Sequence, residues 1–472
     1  MTEFRRSLGL LDATMVVMGS MIGSGIFIVS ADITRNVGSA GMLILVWVLT
    51  GIMMICAALS YGELSGMYPK AGGLYVYLRE AFGPLVAFLY GWALFTVITT
   101  GTIAAIGVAF GKFAAYIFPF LGEKNYLMGS EQDFFKVSAA QLTSILMIVF
   151  LTFINARGVQ NGRWVQTIFT VAKIGGLALL ILFGAMVVKD TNFWQLNWQD
   201  AWTMQSLKMN HGVVEKTPIV GVWAMISAIA MASVGSVFAS FAWDNITFIA
   251  GEIKNPVRNI GLSLFIGVAG VIGLYILANF VFLRVLPLQG IAFAESDRVG
   301  VDAAKSIFGS FGTTLIAILV MISTAGCNNG FILSSSRVFY TMAQDNLFFK
   351  SNAELNDVGV PEKSLWYQCI WACLLCLSGK YGDLLDYVTF VVLLFYGLAV
   401  YAVFVLRKKY PNAERPYRAF GYPFVPSLYL IITLFMGIPL LIYKPFYTWP
   451  GLALVLLGIP VYFLIMKQEK IE

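Results

Sequence analysis

The chain has 472 residues, 59% of them hydrophobic and 12% charged, with a net charge of +6 and a mean hydropathy of +0.79. A soluble globular protein carries roughly 25% charged residues, so a string of soluble domains is excluded, and a polytopic membrane protein with room for roughly a dozen spans of about 20 residues is expected. A single histidine removes most imidazole, zinc and haem chemistry, and no cofactor or metal is expected.

Taken in chain order, apolar runs bounded by charge or by Gly/Pro turns fall at residues 12–37, 41–65, 84–111, 137–156, 163–188 and 219–250. The second half gives 261–284, 309–342, 365–379, 384–407, 423–443 and 449–466, which makes twelve transmembrane helices in an all-α polytopic fold. The ninth is the shortest, with about 15 apolar residues against the roughly 17 to 25 that a span prefers. The polar stretches 119–136, 189–218, 285–305 and 343–364 read as loops, so residues 1–472 form one membrane domain.

With twelve spans, one side collects Arg5, Arg6, Lys70, Arg79, Arg157, Arg163 and the basic run from Arg407 to Arg418, which places both termini in the cytoplasm. Dropping the ninth span would put that run outside. The positive charge is thereby accounted for by orientation, with a lipid bilayer and no nucleic acid as partner. Met1–Ser7 leads directly into a span, so no cleavable signal peptide is visible. His211, between Lys208 and Lys216, reads as a solvated loop residue. Cys56, Cys327, Cys369, Cys373 and Cys376 lie in or beside apolar runs and read as small packing residues, and Cys373 with Cys376 lacks further ligands.

Two spans carry internal weak points. The first contains Gly19-Ser20-Met21-Ile22-Gly23-Ser24-Gly25-Ile26-Phe27, where clustered glycines let the chain leave helical geometry or, equally, let helices pack closely through Gly19 and Gly23. The sixth contains Ala232-Ser233-Val234-Gly235-Ser236-Val237-Phe238-Ala239-Ser240-Phe241-Ala242-Trp243-Asp244-Asn245, again rich in small residues. An offset of five spans inverts the second half relative to the first, so these helices would be symmetry mates in an inverted-repeat transporter. Unwinding bares N–H groups that favour an anion and carbonyls that favour a cation. A free amino acid supplies both charges on one carbon.

At these residues the sequence resembles the amino acid/polyamine/organocation transporter superfamily, particularly its L-type and cationic-amino-acid-transporter-like branches. The resemblance is carried by Gly23-Ser24-Gly25-Ile26-Phe27, by Tyr68-Pro69-Lys70-Ala71-Gly72-Gly73 with Tyr75 and Tyr77, by Phe238-Ala239, by Lys254-Asn255-Pro256 with Arg258-Asn259, and by Ser334-Ser335-Ser336-Arg337. It implies a leucine-transporter-like fold, a five-plus-five inverted repeat plus two extra helices. The first repeat would be 1–188, the second 219–407, and the extra helices 423–466. It also implies a substrate site at Met21, Ile22, Gly23, Ser24, Gly25, Phe238, Ala239 and Phe241. The carboxylate would meet the N–H groups of Gly23, Ser24 and Gly25, and the ammonium the carbonyls near Met21, Phe238, Ala239 and Phe241. Phe241, where relatives often carry a small or aliphatic residue, would narrow the pocket toward small or medium neutral amino acids.

Lys173 sits deep in the fifth span, where a lysine costs roughly 2.5 to 3.5 kcal/mol and must face a polar interior or snorkel. The resemblance implies that it replaces a sodium ion, as a fixed cation or as a proton carrier. Asp244 reads either as a helix cap or as a coupling or gating residue. Glu63, near the end of the second span, reads as an interfacial residue pairing with Lys70 or Arg79. The leading expectation is a sodium-independent, alternating-access amino acid exchanger, with proton-coupled symport as the alternative. A membrane-embedded enzyme or channel is disfavoured, because neither a convergent acid/base cluster nor a ring of charge is visible. The loop Phe118 to Lys136 has no cysteine, so the disulfide-linked heavy chain of the eukaryotic L-type relatives is not expected, and a permease of a bacterial inner membrane is.

Overall fold

The computed structural model describes residues 8–469 except 71, 131–132, 134–135, 159, 187–191 and 379–380. Arg5, Arg6 and Ala71, used above, lie outside them. Among the described residues, ten helices are long and apolar enough to cross a membrane, and the bent pair Leu10–Met21 and Gly25–Val37 makes an eleventh span. The remaining segment of the expected twelve, Glu362–Ser378, is a helix of 17 residues, at the lower limit for crossing a bilayer. We number the spans by counting it as the ninth.

The first span is broken. Its halves meet at 46°, with Ile22 extended at φ −74 and ψ 101. The second span, Ala40–Met67, is a continuous 28-residue helix, about 42 Å long at ~1.5 Å per residue. Pro84 starts the third span, Pro84–Ile117, where a missing N–H costs nothing, and a π-helical segment interrupts it at Leu94–Ile98. The fourth, Ala139–Ala156, is opened by a capping box between Ser138 and Gln141. The fifth is Gln160–Met186.

The sixth span runs as Val222–Ser240 and then leaves helical geometry. Ala242 sits at φ 74, a left-handed conformation, before a single turn at Asn245–Phe248. Pro256 starts the seventh span, Pro256–Val285. The eighth helix, Val299–Gln344, kinks at Gly309, whose φ of 71 requires glycine. The expected loop 285–305 therefore already contains the start of this helix and the short helix Leu288–Ala292. The tenth to twelfth spans are Tyr381–Lys409, Phe424–Tyr443 and Pro445–Glu469.

Two of the expected loops contain strands. Tyr126–Met128 pairs with Val137–Ser138, and Gln205–Asn210 pairs antiparallel with Val213–Pro218 through the two-residue turn His211–Gly212. Both turn residues have positive φ, 50 and 81, as a tight hairpin demands. His211 is exposed there, as the sequence predicts.

The spans pack in pairs five apart. The second half of the first, Gly25–Val37, lies on Val222–Ser240; the second span lies on the seventh, the third on the eighth and the fourth on the ninth. The third span is the central post, with 89% of its apolar window buried, whereas the fifth, eleventh and twelfth show 28% and form the rim. Large apolar side chains such as Phe150, Leu182, Leu434 and Leu464 are exposed on the outside, as lipid contact allows. The N-terminal strand residue Leu8 bridges to Ile253, and Lys254 N–H donates to Leu8 O at 2.8 Å, tying the ends of the two broken spans together.

Glu63 departs from its expected pairing. It is fully buried and accepts a fork from Arg407, Nε at 2.9 Å and Nη2 at 2.7 Å, together with Ala419 N–H at 2.7 Å, while Arg415 lies 3.3 Å away. Arg79 pairs instead with Asp345, which also accepts from Tyr75 at 2.8 Å. Burial and that carboxylate push the Tyr75 phenol up, so it stays a hydrogen donor. A buried carboxylate needs a bidentate partner with satisfied hydrogen bonds, which only the distant Arg407 offers.

Candidate functional site

Helix Leu10–Met21 ends at the break, and its last carbonyls have no partner within the helix. Ile22 N–H closes onto Met18 O at 2.9 Å. The next four carbonyls are taken up by side chains from three other spans. Lys173 Nζ donates to Gly19 O at 3.0 Å, Cys327 Sγ to Ser20 O at 3.2 Å, Tyr275 Oη to Met21 O at 3.0 Å and Ser323 Oγ to Ile22 O at 3.3 Å. Tyr275 also reaches Ala239 O at 3.3 Å, near the end of the helical half of the sixth span. One hydroxyl thus bridges the carbonyl ends of both broken helices. The Met21 and Ala239 carbonyls, expected for a substrate ammonium alone, already accept this bond, and each keeps a second lone pair.

Beyond the break, Gly25–Val37 starts with unpaired N–H groups. Among the described residues, no hydrogen-bond partner is found for the N–H groups of Gly23, Ser24 and Gly25, and Ser24 at the cap makes no side-chain cap bond. These donors and the macrodipole of a 13-residue helix favour an anion. Gly25 also lets the two breaks approach closely, since a Cβ there would sit 2.5 Å from Ala239 Cβ. Of the two sequence readings of the glycine cluster, the break holds, with Gly23 in it; the tight approach falls at Gly25, whereas a Cβ at Gly23 would meet Cys327 Sγ at an ordinary 3.4 Å.

A small cavity lies between the breaks, lined by Ser20, Met21, Gly23, Ser24 and Gly25 of the first span and by Phe238, Ala239, Phe241 and Ala242 of the sixth. The free space is only ≈ 20 Å³. Phe238 and Phe241 pack at 5.3 Å, and Phe241 meets Phe331 at 5.8 Å, so three rings close one wall. Sequence reasoning missed six lining residues, Ser20 and Ala242 at the breaks themselves, Thr102 and Ile106 of the third span, and Cys327 and Phe331 of the eighth, while the expected Ile22 is not part of the lining. The signals were the threonine run Thr99, Thr100, Thr102 and the polar step Cys327-Asn328-Asn329 inside apolar helices.

Lys173 is 4% exposed and is held at Gly19 O, so it does not snorkel. It does not line the cavity; it holds the carbonyl side of the break from behind. Asp244, 3% exposed, sits at the cap position of Asn245–Phe248 without capping it by its side chain. It accepts instead from Tyr396 Oη of the tenth span at 2.5 Å. Trp243, Tyr61 and Tyr396 surround it, with Tyr61 and Trp243 at 4.7 Å and Trp243 and Tyr396 at 5.3 Å.

Residues 8–465 match the sequence profile of the amino acid permease family. The chain is 29% identical over 462 residues to the large neutral amino acids transporter small subunit 2 of Mus musculus, covering 98% of this chain and 81% of that one. It is 27% identical over 477 residues to the b(0,+)-type amino acid transporter 1 of Mus musculus, covering 99% and 89%. It is 29% identical over 471 residues to the serine/threonine exchanger SteT of Bacillus subtilis strain 168, covering 98% of each. Broken helices placed back to back in a multi-pass membrane protein, and a profile match over almost the whole length, lead to one conclusion: the chain is a membrane transporter, not an enzyme, and belongs to the amino acid permease family.

Proposed function

We propose that this permease is a sodium-independent exchanger of small neutral amino acids that works by alternating access. The observation that carries the proposal is the polarity of the first break, with unpaired N–H groups at Gly23, Ser24 and Gly25 on one side and carbonyls on the other. A zwitterion meets both, its carboxylate at those N–H groups and its ammonium at the carbonyls near Met21, Phe238, Ala239 and Phe241. Ile22 carries the extended turn between the two. Lys173 acts as a fixed cation on the carbonyl side, which is the reason no sodium ion is needed. Asp244, bonded to Tyr396, acts in gating where the sixth span leaves its helix.

The three rings that close one wall of the cavity support small side chains over large aromatic ones. Relatives named as a neutral amino acid transporter and a serine/threonine exchanger support the same substrate class and the exchange mode. The pairing of spans five apart supports two inverted repeats, 1–188 and 219–407, followed by the extra helices 423–466. The basic run Arg407 to Arg418 supports cytoplasmic termini, and the cysteine-free loop 118–136 supports transport without a disulfide-linked heavy chain and, with it, a bacterial inner membrane.

Purified protein in proteoliposomes tests the proposal. Labelled alanine or serine should enter vesicles preloaded with unlabelled amino acid, equally in sodium and in potassium buffers, and enter empty vesicles poorly. Absence of flux across a broad amino acid panel would refute transport of this class. Flux that requires sodium would refute the role of Lys173, and concentrative uptake into empty vesicles driven by external acid would replace exchange with proton symport.

A further inference from the structure

The third span reaches the cavity through an irregular stretch. Its π-helical segment Leu94–Ile98 shifts the helical register, and the following turn carries Thr99, Thr100 and Thr102. Insertions of this kind are frequent at functional sites because they re-aim one face of a helix. Thr100 Oγ1 accordingly donates to Phe95 O, five residues back, at 2.6 Å. Thr102 is 1% exposed and lines the cavity.

The chemistry of Thr102 is set by its own hydrogen bond. Its hydroxyl donates to Ile98 O at 2.6 Å, so the single proton is committed and the oxygen of this cavity-lining residue keeps acceptor capacity only. The thiol of Cys327 is spent in the same way, on Ser20 O at 3.2 Å. The rest of this end of the cavity is apolar, formed by Ile106, Phe238, Phe241 and Phe331. An apolar wall with one acceptor-only oxygen rewards a side chain that brings a short donor, and it penalises a hydroxyl that finds no partner.

We propose that Thr102 is a specificity-determining residue that accepts a hydrogen bond from a side-chain hydroxyl of the substrate, so that the exchanger prefers serine and threonine to aliphatic amino acids of the same size. This rests on the exchanger reading above and names the substrate class of that same site. The ammonium and carboxylate are met by the backbone of the two breaks, and Thr102, on a third element, reads only the side chain.

The test compares serine with 2-aminobutyrate, which puts a methyl in place of the hydroxyl, as competitors of labelled alanine counterflow. In the wild-type protein serine should compete about tenfold better, the order of one net hydrogen bond. In Thr102→Val the ratio should fall to one or below, because the serine hydroxyl is then buried without a partner, and Thr102→Ser should restore it. Equal competition by the two amino acids in the wild-type protein would overturn the proposal even if the valine variant fails to fold. A ratio unchanged in Thr102→Val would overturn it too, and would mean that the hydroxyl of Thr102 serves the ammonium or the helix alone. Wild-type vesicles in which no amino acid drives counterflow would refute the exchanger reading itself, an outcome distinct from active exchange without hydroxyl preference.

Discussion

In the first span the break falls between halves of 12 and 13 residues, whereas in the sixth it follows 19 helical residues and is succeeded by the four-residue turn Asn245–Phe248. The materials differ as much as the lengths. Four consecutive carbonyls of the first break are held by side chains from the fifth, seventh and eighth spans. The sixth break is held mainly by rings, Phe241 against Phe238 and Phe331 and Trp243 against Tyr61 and Tyr396, with a carboxylate–phenol bond and the shared Tyr275 hydroxyl at Ala239 O. Only the first break is followed by a helix long enough to present a substantial positive end. In the proposed binding mode the anion therefore falls to the first break, and the sixth supplies carbonyls and the wall of the pocket.

The largest effect should come from removing the contact that couples the two. Gly25→Val puts a side chain where a Cβ alone would lie 2.5 Å from Ala239 Cβ, and it displaces the N–H groups proposed to meet the carboxylate. Counterflow per reconstituted protein should fall about a hundredfold or more, since displacements of about 1 Å at a positioned site cost that much. A variant that exchanges at wild-type rate would show that the breaks work independently.

Lys173→Met probes the polar staple of the first break alone. Losing a charged hydrogen bond to Gly19 O costs ~1.5 to 3 kcal/mol, and removing an ammonium from that depth returns a similar ~2.5 to 3.5 kcal/mol. The unfolding midpoint in detergent should accordingly move by no more than about 4 °C, while exchange drops about tenfold as the break loses its geometry. A large loss of stability with normal transport would reverse the assignment and make the lysine purely structural.

The smallest effects belong to the sixth break. Tyr396→Phe strands the Asp244 carboxyl, and thermal unfolding should show a loss of ~2 kcal/mol. Asp244→Asn keeps an acceptor for the phenol and should cost less. If the asparagine variant proves the more damaging, a charge on Asp244 matters beyond its bond to Tyr396, and the contrast between a polar and a steric break weakens.

Much of this was legible in the chain. Twelve apolar runs, the two glycine-rich or small-residue segments and the offset of five spans between them are one-dimensional patterns, because a helix in lipid must satisfy its own backbone and advertises every interruption. Lys173 and Asp244 stood out for the same reason, since charge at depth is costly. The stretch 189–218 read only as a loop with a solvated His211, and the hairpin turn at His211–Gly212 emerged in the structure.

Partner choice was decided by the tertiary structure. Glu63 has Lys70 and Arg79 as sequence neighbours, yet its partner is Arg407, 344 positions away. Tyr275 bridges Met21 and Ala239 from the seventh span, and Thr102 gained its place through a π-helical shift that propensities do not encode. Composition and periodicity set which segments cross the bilayer and where they fail as helices. Which side chain answers each orphaned carbonyl depends on distances of about 3 Å between spans remote in sequence, and packing alone sets those distances.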